Sequence, residues 1–101
     1  HSGRRDMSGY RIDRQVMEFG EHVRGWRMVL GLTAQQVSER AGITRDTLRK
    51  IEAGNPNVSF NSVTQVLRAL GILDQIVDAA DPLASDIGRL RAGRLTRKRA
   101  R

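Results

Sequence analysis

A chain of 101 residues suffices for one compact domain of modest core plus tails, and the lack of cysteine excludes a disulfide framework. The longest uninterrupted apolar run, Met28-Val29-Leu30, is too short for the core of a signal peptide or a bilayer span, so a cytoplasmic protein is expected. The formal charge is +7, but residues 1–88 carry 11 basic and 11 acidic side chains while residues 89–101 carry seven basic and none acidic, so the surplus lies wholly in the tail.

The neutral part is itself sorted by sign. Arg24, Arg27, Arg40, Arg45, Arg49 and Lys50 face only Glu39 and Asp46 between residues 24 and 50. From residue 52 to 88 the balance reverses, with Glu52, Asp74, Asp78, Asp81 and Asp86 against Arg68 alone. Such sorting predicts one basic and one acidic side, the pattern of a one-faced polyanion binder.

Residues 1–14 are polar, contain Gly3 and Gly9 and lack an apolar stripe, which predicts a disordered leader. The methionine at Met7, behind a chain that opens on His1, marks residues 1–6 as candidates for an added or processed stretch. Val16, Phe19, Val23, Trp26 and Leu30 recur at spacings of three and four, predicting a first helix over about 15–30 with Trp26 in the core. Thr33 followed by Gln36 has the spacing of a capping box, and Val37 and Ala41 give a buried face before Gly42, so a second helix spans about 34–41. Thr44 caps a third over about 45–52, with Leu48 and Ile51 pointing inward.

Asn55-Pro56-Asn57 is turn chemistry. Beyond it, Ser59 is the expected cap of a fourth helix over about 60–70, with Phe60, Val63, Val66, Leu67 and Leu70 inward and Gly71 as its stop. Ile72, Leu73, Ile76, Val77 and Ala80 form a fifth over about 73–80, ended by Asp81-Pro82. The organisation expected is therefore all-α and five-helical, with a leader at 1–14, a domain at 15–81 and a flexible basic tail at 82–101. That tail is open to three readings: a solvated end, an arm along DNA, or a partner-binding segment.

Two short helices joined by a glycine turn and packed on the first and fourth present the third as a rigid rod, of a size that enters a major groove. At about 100° per residue, inward Leu48 and Ile51 leave Asp46, Arg49 and Lys50 outward, with Arg45 near the helix start. Arginine and lysine donate to guanine O6 and N7 and aspartate accepts from cytosine N4, so these four are the candidate base readers. Thr33, Gln35, Thr44, Thr47 and Asn57 are candidates for phosphate, helped by the helix N-terminal amides.

Gly31-Leu32-Thr33, Arg40-Ala41-Gly42-Ile43-Thr44-Arg45, Leu48, Ile51-Glu52, Gly54 and Arg68-Ala69-Leu70-Gly71 together resemble the XRE-type, phage-repressor-like helix-turn-helix family from about Phe19 to Gly71. The resemblance implies a five-helix repressor-like domain that binds a double-stranded, palindromic operator as a two-fold dimer. It also implies a structural ion pair between Arg27 and Glu52. The chain departs from the family's habit at Ala34, where glutamine is frequent, and at Ser38, where alanine is. The stretch from Asn55 to Leu73, with Asp81-Pro82-Leu83 and the arginine-rich end, is similar to HipB-type antitoxin regulators, which repress their own operon and bind a HipA-like kinase toxin.

The apolar set Ile72, Leu73, Ile76 and Val77 is read either as core or as the dimer seam that a palindromic operator demands. Catalysis has little footing, since a nucleophile needs a base and the histidines are His1, in the leader, and His22, expected on the surface. No enzyme, cofactor or metal is expected. A protein-interaction module without a DNA role is the remaining alternative.

Overall fold

A computed structural model describes the backbone of residues 2–95 and the side chains of residues 11–95. It is all-helical, with no strand among the described residues: α1 Ser2–Val29, α2 Ala34–Ala41, α3 Arg45–Glu52, α4 Phe60–Ala69, α5 Leu73–Ala80, a 3-10 turn Pro82–Ala84 and α6 Asp86–Leu90. The chain divides after Gly71 into two units.

In the first unit α1 packs on α3 and α2 on α4. The core between them is Val23, Val37, Ala41, Leu48, Ile51, Val66, Leu67 and Leu70. The caps explain where the short helices begin. Thr33 Oγ1 accepts from the Gln36 amide at 3.0 Å while Gln36 Oε1 accepts from the Thr33 amide at 2.8 Å, the reciprocal capping box. Thr44 Oγ1 accepts from the Thr47 amide at 3.1 Å and opens α3 in the same way. Between the two helices Gly42 adopts φ 70°, the left-handed conformation that lets its amide and that of Ile43 return to the last carbonyls of α2. Arg68 ties α4 to the same end, its Nη2 donating to the Arg40 carbonyl at 2.8 Å.

Ser38, buried at 2 % exposure in the middle of α2, donates its hydroxyl to the Ala34 carbonyl at 2.8 Å, so its burial leaves nothing unsatisfied. That back-bond competes with the helix ladder and gains little net energy. Ser38→Ala is therefore expected to change stability by less than about 1 kcal/mol in a urea titration. A loss of several kcal/mol would mean that the hydroxyl holds more than its own helix.

Four expectations are corrected in this structure. The segment read as a disordered leader is helical from Ser2 and continuous with α1. It contains no proline, and its arginines and Met7 are good helix formers, so a helix seated at residues 16–29 propagates backward without needing a buried stripe. Residue 1 lies outside the described residues.

Trp26 is not core. It is 40 % exposed and Leu30 is 45 % exposed, because the inward face of α1 runs through Gly20, Val23 and Arg27. Spacings of three and four join these residues, but only Val23 carries an apolar signal. Val16 and Phe19 flank that face and are half-buried. Phe60, expected inward on α4, is 82 % exposed. It occupies the first helical position, where side chains lean toward the helix N-terminus and so off the end of the packed surface.

In the second unit, local capping rather than a core sets the conformation. The Asp81 carboxylate accepts from the Leu83 amide at 2.9 Å, and Ser85 Oγ accepts from the Gly88 amide at 3.0 Å, opening α6. Arg89 pairs with Asp86 and donates to the Leu83 carbonyl at 2.9 Å. The region read as a flexible tail from residue 82 is thus helical in large part, including residues 92–95, while residues 96–101 lie outside the described residues. Ile72, at 6 % exposure, is buried, but no residue of α5, the 3-10 turn or α6 is.

Candidate nucleic-acid interface

α3 is seated by Leu48 and Ile51, exposed to 1 % and 4 %, and its opposite face is open to solvent. Arg45, Asp46 and Arg49 are exposed and Lys50 is half-buried, all on that one short helix. They do not stand independently. Arg49 Nη2 lies 2.7 Å from Asp46 Oδ1, and Lys50 Nζ lies 3.3 Å from Asp46 Oδ2. The hydrogen bond from Arg49, then that from Lys50, holds the Asp46 carboxyl below its ordinary pKa. Asp46 therefore stays ionised and partly neutralises two of the three cations on the face.

Arg45 is linked to the neighbouring helix instead. Its Nη1 donates to Gln35 Oε1 at 3.5 Å, and Gln35 Nε2 donates to Glu39 at 2.8 Å. This link between α2 and α3 has no signal in residue spacing, since it joins positions ten apart on two different helices.

The candidate phosphate contacts sit at helix starts. Thr33 and Thr44 are the N-caps of α2 and α3, both exposed, with their oxygens committed to backbone amides. Thr44 donates its hydroxyl to Oγ1 of half-buried Thr47 at 2.9 Å. The first amides of each helix, which have no carbonyl partner within it, project beside these caps. Exposed Asn57 lies in the loop before α4, where its amide donates to Asn55 Oδ1 at 2.8 Å.

The Arg27–Glu52 pair forms as the resemblance implies. Arg27 Nε and Nη2 donate to the two Glu52 oxygens at 2.7 and 3.0 Å, a two-pronged contact with side chains only 15 % and 12 % exposed. A third bond from Nη1 reaches the Leu32 carbonyl at 3.3 Å. The hydrogen bonds that Arg27 donates to Glu52 raise its pKa against the opposing effect of desolvation. The guanidinium thereby fastens α1 to the end of α3 and to the segment that leads into α2.

Residue spacing misses Gly20, a second device at that junction. A Cβ at Gly20 would lie 2.6 Å from the Ile51 carbonyl oxygen, 2.7 Å from that of Glu52 and 2.9 Å from the Gly54 amide, so only glycine lets α1 approach the end of α3 this closely. Gly54, at φ 78°, faces the backbone of Met17 in turn. Of the four residues read as a dimer seam, Ile72 is buried within the chain and has no surface to give a partner. Leu73 is half-buried, and Ile76 and Val77 are 41 % and 59 % exposed.

Among the described residues no three His, Cys, Asp or Glu side chains stand close enough to hold a metal ion, and no helix is long and apolar enough to cross a membrane. Residues 18–80 match the helix-turn-helix domain family. Over 49 residues, 48 % of this chain and 71 % of the relative, the sequence is 39 % identical to an uncharacterized HTH-type transcriptional regulator of Methanothermobacter thermautotrophicus. No solved structure matches the chain. With α2 and α3 at the centre of the matched span, joined by the Gly42 turn, the chain belongs to the helix-turn-helix domain family.

Proposed function

We propose that this protein is a DNA-binding transcriptional regulator, a repressor that reads a palindromic operator as a dimer. The observation that carries the reading is α3 itself: a helix buried on one side, whose free face offers Arg45, Asp46, Arg49 and Lys50 to base edges. We assign Thr33, Gln35, Thr44, Thr47 and Asn57 to phosphate contacts, a reading supported by the place of Thr33 and Thr44 at helix N-termini. The relative's description as a transcriptional regulator supports the same class.

Arg45→Ala and Arg49→Ala are each expected to cost about 1–3 kcal/mol on a cognate duplex and to relax specificity at one base pair. Unchanged binding in both variants, measured by fluorescence anisotropy on a duplex selected from a random pool, would remove α3 from the groove. The Asp46 network adds a converse expectation. Asp46→Asn releases Arg49 and Lys50, so affinity for non-cognate duplex should rise and steepen its dependence on salt, while discrimination falls.

The second unit supports a protein-binding role beside the DNA one. It exposes Ile76, Val77, Leu83, Ile87, Leu90 and Leu95. We assign Ile76 and Val77, with Leu73, to the seam of the dimer that a two-fold operator requires. Val77→Arg should shift the protein toward monomer in sedimentation equilibrium. The antitoxin reading rests on the same apolar surface, with a HipA-like kinase as partner. Co-purification with a kinase encoded next to this gene tests it, and no complex between the two would count against it.

A further inference from the structure

Between the N-terminus of α2 and the exposed side of α3 lies a recess of about 390 Å³, lined by Ala34, Arg45, Asp46, Leu48, Arg49 and Glu52. Apolar atoms make up most of its wall. Resting on the DNA-binding reading above, we propose that this recess receives the C5-methyl group of a thymine, making Ala34 a specificity-determining residue.

The lining selects the class of occupant. The lining sets two guanidinium groups, two carboxylates and the apolar side chains of Ala34 and Leu48 around one recess. Glu52 is already spent on Arg27, and Asp46 on Arg49 and Lys50. Apolar wall remains between charged groups that are all partnered. In the major groove thymine is the base that presents a methyl group, and alanine is among the side chains that meet it.

At the rim Arg45 is paired with Gln35 and Arg49 with Asp46, so each guanidinium has a partner other than the wall at Ala34. The small side chain at residue 34 is the condition for all of this, since a longer one at the first position of α2 would occupy the space itself.

The test uses the full chain. A duplex is selected from a random pool, and each of its thymines is then replaced, one at a time, by deoxyuridine, which differs only by the missing methyl. One thymine in each half-site should lose about fourfold in affinity, the effect of burying one methyl group. Ala34→Gln, checked for unchanged helicity by circular dichroism, should bind the thymine and deoxyuridine duplexes equally at that position. Deoxyuridine tolerated at every position would overturn the proposal, as would a difference that survives in Ala34→Gln. If no duplex is enriched at all, the DNA-binding reading itself fails, and the recess proposal with it.

Discussion

Leu48→Ala should destabilise the protein by about 2–5 kcal/mol, the cost of removing a fully buried leucine and leaving a cavity behind. In a domain whose whole stability is on the order of 5–15 kcal/mol, that is a large share. The thermal midpoint should fall by roughly 4–8 °C for each kcal/mol lost, read by far-ultraviolet circular dichroism and checked by urea titration. The reason is positional. Leu48 is the side chain by which α3 is seated, so the same bond network that presents Arg45 and Arg49 depends on it. Phe60→Ala is the matched control. At 82 % exposure that larger side chain should change stability by less than about 0.5 kcal/mol. Equal losses from the two variants would show that α4 is seated differently from the arrangement described.

The second large effect reverses the ordinary sign of a substitution. In a helix interior alanine is favoured over glycine by about 1 kcal/mol, so Gly20→Ala would stabilise an isolated α1. In the folded protein the added methyl meets three backbone atoms between 2.6 and 2.9 Å away, and backbone at the end of α3 cannot swing aside as a flexible side chain does. A net loss of about 1–3 kcal/mol is expected. Gly25→Ala, on the same helix, puts its methyl into open space and should stabilise by up to about 1 kcal/mol. Opposite signs from two Gly→Ala changes five residues apart are the signature of close packing at Gly20. Stabilisation by both would mean that α1 stands off from α3.

Taken together, these effects describe one joint. The end of α3 is gripped by Gly20 through close approach, by Arg27 through two hydrogen bonds to Glu52, and by Leu48 and Ile51 through burial. A groove-reading helix must keep its side chains in register with base pairs, and every contact on its buried side restricts its roll. The exposed side, by contrast, is organised by exchangeable ion pairs among Asp46, Arg49 and Lys50, each worth little in water and open to replacement by a base edge.

Local chemistry along the chain was enough to place α2 and α3 at their observed bounds, because Thr33, Gln36, Gly42 and Thr44 act on amides and carbonyls within a few residues of themselves. The outward direction of Asp46 and Arg49 was legible for the same reason, since Leu48 and Ile51 face inward, while Lys50, read outward with them, is half-buried. Ser85 carries an equally local signal for α6, obscured by the sparse apolar pattern beyond Pro82.

Tertiary packing decided the rest. Which face of α1 turns inward depends on a glycine and an arginine whose value there comes from Ile51 and Glu52, some thirty and twenty-five residues away. Whether Trp26 and Phe60 are covered depends on what lies opposite them, and hydrophobicity alone states a preference for burial without supplying a partner. The Gln35–Arg45 link and the recess over Ala34 arise only when α2 and α3 meet, so no periodicity within either helix could announce them.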